Sequence, residues 1–254
     1  MTELTNSISR MVKSLDERKG RSKEGAFKAE GTKCVTDTLG HFRLRNLFAT
    51  DEWLDLHGAL THGLEQEAVM QVSRRDIAKM SSLVTPSDVI AVYDVPAYEL
   101  DIPSAREGLL LALDTIQDPG NLGTIIRVAD WFGVHDILCS NETADCFAPK
   151  VIQSTMGSIS RVRLHYGNLR EMIEAIDAPA VYGTFLDGSD IREATLGDKG
   201  IIVIGNEGKG ISKEIETVVT ERLLIPSYPP GQETGESLNA AIATAITLAK
   251  FRGV

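Results

Sequence analysis

The sequence has few of the features that mark secreted, membrane-spanning or metal-binding proteins. It contains three cysteines in 254 residues, and Cys139 and Cys146 lie seven positions apart, which fits no zinc site. No apolar run reaches the roughly 18 residues needed to cross a bilayer. The first residues lack the charged start and apolar core of a secretion signal. We therefore expect reduced, mostly buried thiols, no metal, no membrane partner and a cytoplasmic location.

Two common nucleotide-binding signatures are also missing. The segment Gly-Asn-Glu-Gly-Lys-Gly over 205–210 is rich in glycine, but Ile211 follows where a phosphate-binding P-loop requires lysine. The dinucleotide pattern G-x-G-x-x-G is absent from it as well. A nucleotide-dependent enzyme of the ordinary doubly wound type is therefore disfavoured. The glycines would still let a flat ligand approach the backbone closely, and Glu207 adds an acid there.

Charge is distributed unevenly along the chain. The net charge is −10, which argues against a general nucleic-acid coat protein. Residues 1–50 nevertheless carry ten Lys and Arg against six Asp and Glu, a net charge of +4. A basic segment on an acidic body is typical of a polyanion contact, whereas the alternative is a short charged helix and loop that are merely solvated.

Short strands and helices alternate in the first hundred residues, which predicts a small α/β domain over 1–95. Apolar spacing indicates a helix over 7–19, followed by a turn over 20–25. Residues 96–108 hold two prolines, a glycine and no periodicity, and are predicted to be a linker. The expected strands of this domain lie near 26–30, 43–49, 68–72 and 88–93.

The pattern changes after residue 108, because continuous apolar runs replace alternating ones. Such runs are typical of strands buried on both faces of a parallel sheet, with helices between them. We expect a parallel-sheet domain over 109–254, with ligands bound beyond the carboxyl ends of its strands. The expected strands are 109–114, 136–140, 180–186, 200–205 and 223–226, and the expected helices lie near 121–132, 149–157, 168–176 and 212–220.

The first loop of interest leads into a helix that carries Asn121 and Arg127. Asn121 can cap this helix, and its apolar stripe should be buried. Arg127 lies off that stripe, above Gly123 one turn earlier. A guanidinium over a cleared patch suits a phosphate, and the alternative is a surface salt bridge to Asp130 or Asp118. The predicted buried stripe consists of Leu122, Ile125, Ile126 and Ala129.

The last loop leads into a helix that begins near Ser237 and is apolar on almost every face through Ala249. Such a helix is predicted to be buried. Its first turn carries the polar residues Glu236, Ser237 and Asn239. They indicate either a ligand site at the positive end of the helix or simply an N-cap at Ser237.

Together, Asn121-x-Gly123-x-x-x-Arg127, Ile204-Gly-Asn-Glu-Gly-x-Gly210, and Ile225-Pro226 with Glu236-Ser-Leu-Asn239 resemble the three motifs of the SpoU family. Its members are RNA ribose 2′-O-methyltransferases that use S-adenosylmethionine. The resemblance covers 109–254. Residues 7–95 resemble, more weakly, the ribosomal-protein-like substrate-binding domain of the family through residues 25–31.

The resemblance implies an α/β protein whose parallel-sheet domain contains a deep trefoil knot, preceded by a small α/β RNA-binding domain. It also implies a homodimer formed through the methyltransferase domain. The expected catalytic residues are Asn121, Arg127, Glu207, Ser237 and Asn239. The expected cofactor contacts are Thr184, Gly205, Asn206, Glu207, Gly208, Ile225, Ser237 and Leu238. The expected RNA phosphate contacts are Arg18, Lys19, Arg21 and Lys23.

One departure from the family pattern stands out. The loop 227–235 is longer and richer in proline than the family usually has, and Ser227 replaces the usual methionine. This departure concerns the fit around the cofactor. Ribosomal RNA is the expected target, and transfer RNA is the alternative target. A different function is also open, that of an RNA-binding assembly factor whose cofactor site has decayed.

Overall fold

Eleven α-helices and ten strands make up the computed structural model, which describes residues 4–229, 235 and 237–254. The helices are α1 Asn6–Ser14, α2 Arg18–Glu24, α3 Thr32–Thr38, α4 Asp51–Thr61, α5 Arg74–Met80, α6 Ile102–Arg106, α7 Pro119–Trp131, α8 Pro149–Thr155, α9 Leu169–Ile176, α10 Lys213–Glu216 and α11 Ala240–Arg252. The strands are β1 Ala26–Glu30, β2 Leu44–Ala49, β3 Val69–Gln71, β4 Val89–Asp94, β5 Leu109–Leu113, β6 Asp136–Ser140, β7 Arg163–Gly167, β8 Val181–Asp190, β9 Gly200–Ile204 and β10 Glu221–Leu224.

These elements form two units that the sequence divides slightly differently. Unit 1 consists of 4–97 and 145–160, and unit 2 of 98–144 and 161–254. Residues 145–160, which follow β6 in the sequence, belong to unit 1 because α8 packs against β1 there. Within the segment 96–108, where the sequence indicates a linker, α6 forms and buries Ala105 in the core of unit 2.

Unit 1 is built on a four-stranded sheet with the order β1-β4-β2-β3. Its β4 is antiparallel to both neighbours, whereas β2 and β3 are parallel. All five residues of β1 are buried. Val12 and Leu15, at the helical spacing seen in the sequence, are fully buried in the core below the sheet, together with Ile77 of α5.

The predicted turn over 20–25 is a helix instead, because α2 occupies most of it. Gly20 lies so close to the end of α1 that an added Cβ would come within 1.9 Å of the Ser14 carbonyl oxygen. The glycine therefore serves close packing, and only Gly25, at φ 58°, turns the chain.

Unit 2 contains a six-stranded sheet with the order β10-β8-β9-β5-β6-β7, in which every neighbouring pair is parallel. This confirms the predicted parallel-sheet α/β domain. The edge strand β7 is not predicted by the sequence pattern. Its two buried residues, Leu164 and His165, lie between exposed Arg163 and Tyr166, so it lacks the continuous apolar run of the central strands.

Helices α7 and α11 pack side by side in unit 2. The four residues of the predicted stripe on α7 are all fully buried, which confirms that prediction. The prediction that α11 is wholly buried was wrong, since Ile242 and Ile246 are 51% and 38% exposed. The buried face of α11 instead contains Thr244 and Thr247, whose hydroxyls bond to carbonyl oxygens of the same helix and so tolerate burial.

Candidate active site

The position of Asn121 depends on how α7 begins. Asp118 is the N-cap, because its side chain accepts a hydrogen bond of 2.8 Å from the Asn121 backbone N–H, and Pro119 takes the first helical position. Asn121 is therefore not the cap that the sequence predicts. Its side-chain amide is left to reach other segments of the chain.

A tight turn after β9 presents Glu207. Asn206 and Gly210 exchange backbone hydrogen bonds across this turn, at 3.1 and 2.8 Å. An added Cβ at Gly205 would come within 2.3 Å of Gly210, so glycine is required at position 205 for the turn to close. The carboxylate of Glu207 accepts a hydrogen bond from the Asn121 side-chain amide.

The segment before α11 contributes two more polar residues. Asn239, and not Ser237, is the N-cap of this helix, since its side-chain oxygen accepts from the backbone of Ala241 and Ile242. Its amide nitrogen donates to the Asn121 side-chain oxygen at 2.8 Å. The Ser237 hydroxyl donates to the Glu207 carbonyl oxygen at 2.9 Å. Glu236, named with them from the sequence, lies outside the described residues.

These contacts bring four sequence-predicted residues together as an amide–carboxylate cluster, defined as Asn121, Glu207, Ser237 and Asn239. The side-chain hydrogen bonds that form it join positions up to 118 residues apart in the chain. The cluster lies at loops that follow parallel strands, which is where open α/β sheets bind ligands. Asn239 and Ser237 are exposed, so the cluster can meet a ligand from solvent.

Arg127 does not join this cluster. It lies six residues after Asn121, which corresponds to about 9 Å along α7 and about 120° around it. Its side chain is exposed and forms no hydrogen bond or ion pair with any residue that the structure describes. The alternative of a salt bridge to Asp130 is not realised, because Asp130 pairs with Arg161 at 2.7 Å. The guanidinium is therefore free to bind an anion.

Six of the eight predicted cofactor contacts lie on or just after three neighbouring strands, β8, β9 and β10, and the other two, Ser237 and Leu238, lie directly before α11. Thr184 on β8 is half-buried, and within the described part of the chain its hydroxyl has no hydrogen-bond partner. Half-buried Ile225 and Leu238, which is 47% exposed, offer apolar surface. Gly208 is exposed and Gly205 half-buried. A free hydroxyl with apolar surface fits a nucleoside with a polar tail.

Asn206 is an exception among the predicted cofactor residues. Its side-chain nitrogen donates to the Thr115 carbonyl oxygen at 2.9 Å, and its side-chain oxygen accepts from the backbone of Gly208 and Lys209. Its backbone groups bond to Gly210. With these hydrogen bonds made, the Asn206 side chain shapes the turn, and its role as a cofactor contact stays a prediction.

The predicted RNA contacts lie on α2 in unit 1. Arg18, Lys19 and Lys23 are exposed. Arg21 is 5% exposed, and its guanidinium bonds to Asp145 at 2.6 and 2.8 Å and to the Leu15 carbonyl oxygen. Arg21 is therefore an internal structural residue, and this correction removes it from the phosphate contacts.

A polar corner at the end of β5 is not predicted from the sequence. It consists of Asp114, Thr115 and Ser140, of which Asp114 and Ser140 are buried. A carboxylate directly after a continuous apolar strand is the one feature of the sequence that points to it.

Among the residues described, no helix is long and apolar enough to span a membrane, and no group of His, Cys, Asp or Glu could hold a metal.

Comparison with known sequences finds a matching family model for each of the two parts of the chain. Residues 108–249 match the model of the SpoU rRNA Methylase family, and residues 6–91 match that of the MRM3-like substrate binding domain. The chain is 31% identical to the 23S rRNA (guanosine(2553)-2′-O)-methyltransferase RlmP of Bacillus subtilis, over 95% of this chain and 94% of that one.

Two solved structures are similar over the whole chain. A protein from Porphyromonas gingivalis assigned to the TrmH family of RNA methyltransferases shares 37% identity, with a TM-score of 0.87 over 100% of both chains. The AdoMet-bound rRNA methyltransferase from Sinorhizobium meliloti shares 30% identity, with a TM-score of 0.84 over 100% of this chain and 97% of that one.

Proposed function

Because the chain belongs to the SpoU rRNA methylase family, we propose that it transfers a methyl group from S-adenosylmethionine to a ribose 2′-hydroxyl of ribosomal RNA. One observation carries this proposal. The Asn121 side chain is hydrogen-bonded to those of both Glu207 and Asn239, in loops that follow parallel strands. The Bacillus subtilis relative acts on 23S rRNA, and the Sinorhizobium meliloti protein binds AdoMet. Both support the same reaction and cofactor for this chain.

The cofactor supplies an electrophilic methyl group, and the protein has to hold it in line with the ribose oxygen. Thr184 offers a free hydroxyl to the cofactor, and Ile225 and Leu238 offer apolar contact. Gly205 and Gly208 let the backbone of the β9 turn approach it. Holding both partners in this geometry is the largest contribution that these residues make.

Arg127 acts at the acceptor. Its free guanidinium binds the phosphate next to the target ribose and stabilises the alkoxide that forms as the hydroxyl gives its proton to water. Arginine is not the base in this scheme, since a guanidinium does not give up its proton in proteins. The amide–carboxylate cluster positions the ribose through the exposed side chains of Ser237 and Asn239.

The test is methyl transfer from labelled S-adenosylmethionine to ribosomal RNA taken from cells that lack this protein, with mapping of the modified ribose. Arg127→Ala should lower the rate by on the order of 10³ while cofactor binding stays nearly intact. Arg170→Ala is the matched control, because Arg170 is exposed and pairs with Glu174 on α9. Normal methylation by Arg127→Ala would refute its role. Methylation of transfer RNA in place of ribosomal RNA would overturn the proposed substrate.

A trefoil knot in unit 2 is part of the same proposal. The chain passes from the edge strand β10 back to the loops that follow β5 and β9, where Asn239 bonds to Asn121 and Ser237 to Glu207. This return supports threading of the C-terminal segment. Mechanical stretching of the denatured chain by its two ends tests it, since a knotted chain stays shorter than the extended contour of 254 residues.

A homodimer through unit 2 is proposed from the apolar side chains on its packed helices. Ile242 and Ile246 are exposed on α11, and Trp131, at the end of α7, is 85% exposed. The helices run in the same direction, because Asn239 contacts Asn121 at one end and Arg252 contacts Phe132 at the other. Ile242→Glu should shift sedimentation from dimer to monomer; a monomeric wild-type chain contradicts the proposal.

RNA binding by unit 1 is proposed from the exposed cations Arg18, Lys19 and Lys23. Each would neutralise one phosphate and release counterions, so affinity should fall with salt. Replacing all three by alanine should reduce the salt slope of binding by about three. Lys79→Ala, an exposed lysine paired with Asp76, is the control. An unchanged slope in the triple variant would assign RNA binding to other residues.

A further inference from the structure

The polar corner of Asp114, Thr115 and Ser140 contacts both ends of the loop that carries Glu207. At the start of this loop, the Asn206 side-chain nitrogen donates to the Thr115 carbonyl oxygen at 2.9 Å. At its end, the Ser212 backbone N–H donates to the Asp114 carboxylate at 2.7 Å. The loop 206–212 is therefore held at two points by two adjacent residues.

Thr115 adopts a backbone conformation that a β-branched residue rarely takes. Its φ is 62°, in the left-handed region, which is strained for a residue other than glycine. The surrounding groups hold it there. Its N–H donates to the Ser140 hydroxyl at 3.0 Å, and its own hydroxyl donates to Asp114 at 3.1 Å.

Asp114 is the centre of this arrangement. It follows the last residue of β5, it is 4% exposed, and its backbone N–H is bonded to the Ile204 carbonyl oxygen at the end of β9. Its two carboxylate oxygens are divided between the Thr115 hydroxyl and the Ser212 N–H. Leaving a buried carboxylate without hydrogen bonds would be costly, so the two bonds that Asp114 accepts fix the positions of the groups that donate them.

We propose that Asp114 and Thr115 are positioning residues for methyl transfer, which clamp the loop 206–212 so that Glu207 meets Asn121 and Ser237. This inference rests on the proposed function. The clamp acts from the β5 side of the loop. The groups that Glu207 holds belong to α7 and to the segment before α11. Through the hydrogen bond to Ser212, a change at Asp114 therefore acts on the loop that carries Glu207.

The test combines hydrogen–deuterium exchange of the loop with steady-state kinetics on RNA. Asp114→Ala should speed exchange at 207–210 and lower kcat by tenfold or more, with a smaller change in KM. Asp114→Asn retains an oxygen that can accept from Ser212 and should restore much of both. Asn206→Asp keeps the oxygen that accepts from Gly208 and Lys209, loses the donor to Thr115, and should reproduce both changes. Asp136→Ala is the matched control, since Asp136 is a half-buried carboxylate of the same unit at the amino end of the neighbouring strand.

Each outcome decides a separate point. Wild-type exchange and kcat in folded Asp114→Ala or Asn206→Asp would overturn the clamp. Equal effects in Asp136→Ala would reduce the clamp to general destabilisation and also overturn it. If Asp114→Ala does not fold, Asn206→Asp carries the test. A wild-type chain that methylates no RNA overturns the proposed function, and the exchange measurement still decides whether Asp114 holds the loop.

Discussion

Two polar clusters in this molecule are built in opposite ways. In unit 1, the Lys28 ammonium is completely buried, bonds to the Met80 carbonyl oxygen, and lies 2.7 Å from Asp16 and 3.2 Å from Glu30. In unit 2, the amide–carboxylate cluster lies at loop ends, with Ser237 and Asn239 exposed.

Burial and internal pairing distinguish polar residues that stabilise the fold from those that can bind a ligand. Glu30 also accepts hydrogen bonds from Ser81 and Ser82, so the buried cluster satisfies its charges within the protein. Burial raises the pKa of Asp16, but the hydrogen bonds from Lys28, Ser82 and Lys13 outweigh it and leave that pKa below its ordinary value. Such a cluster has no capacity for a ligand. The exposed cluster of unit 2, with free Arg127 on the same helix, retains that capacity.

The largest effect that would sharpen this contrast is expected from Lys28→Ala. Removing the ammonium leaves buried Glu30 without the cation that pairs with it, whereas Asp16 keeps Lys13. Breaking a buried ion pair in this way costs about 3–5 kcal/mol of unfolding free energy. Lys33→Ala should change stability by no more than about 1 kcal/mol, because the Lys33–Asp37 pair is on the surface, with Lys33 65% exposed. Urea unfolding measures both, and equal effects would contradict the distinction.

A second internally paired cluster, formed by Asp136, Arg163 and His165 in unit 2, should make the stability of the protein depend on pH. Burial raises the pKa of Asp136, but hydrogen bonds from His165 and Arg163 outweigh it and lower the pKa from 3.8 to about 2. A lowered carboxyl pKa contributes stability above pH 4 that is lost as pH falls towards 2, here about 2 kcal/mol. Asp136→Asn should therefore be less stable than wild type at pH 6, with the gap closing near pH 2. A gap that is constant with pH in urea unfolding would rule out this linkage.

The smallest expected change in stability comes from the open cluster. Asn239→Ala removes the cap of α11 and should cost about 1 kcal/mol, whereas Asn239→Ser keeps a capping oxygen and most of the stability. Both variants lose the donor to Asn121, so both should slow methyl transfer by about 10–100-fold. Thermal unfolding and transfer rates measure the two effects. Full activity in Asn239→Ser would show that the Asn121 contact is not required.

Some features of the fold could be predicted from the sequence, and others could not. Patterns with a local cause were predictable, such as the buried stripe of α7 and the apolar strands of the parallel sheet. The edge strand β7 was not, because an edge needs no continuous apolar run. Helix starts were placed a few residues from their true caps at Asp118 and Asn239, since several capping residues lie near each start.

The fold class of unit 2 and, through three motifs, the family of the chain follow from the amino-acid sequence alone. The folded molecule shows which polar residues serve the fold. Arg21 and Asn206 are predicted from the sequence to contact ligands, yet the side chains of both are hydrogen-bonded within the protein, whereas Arg127 is free. The sequence does not reveal these contacts because a hydrogen bond depends on the distance between two atoms, and the partners lie 91–124 residues apart in the chain.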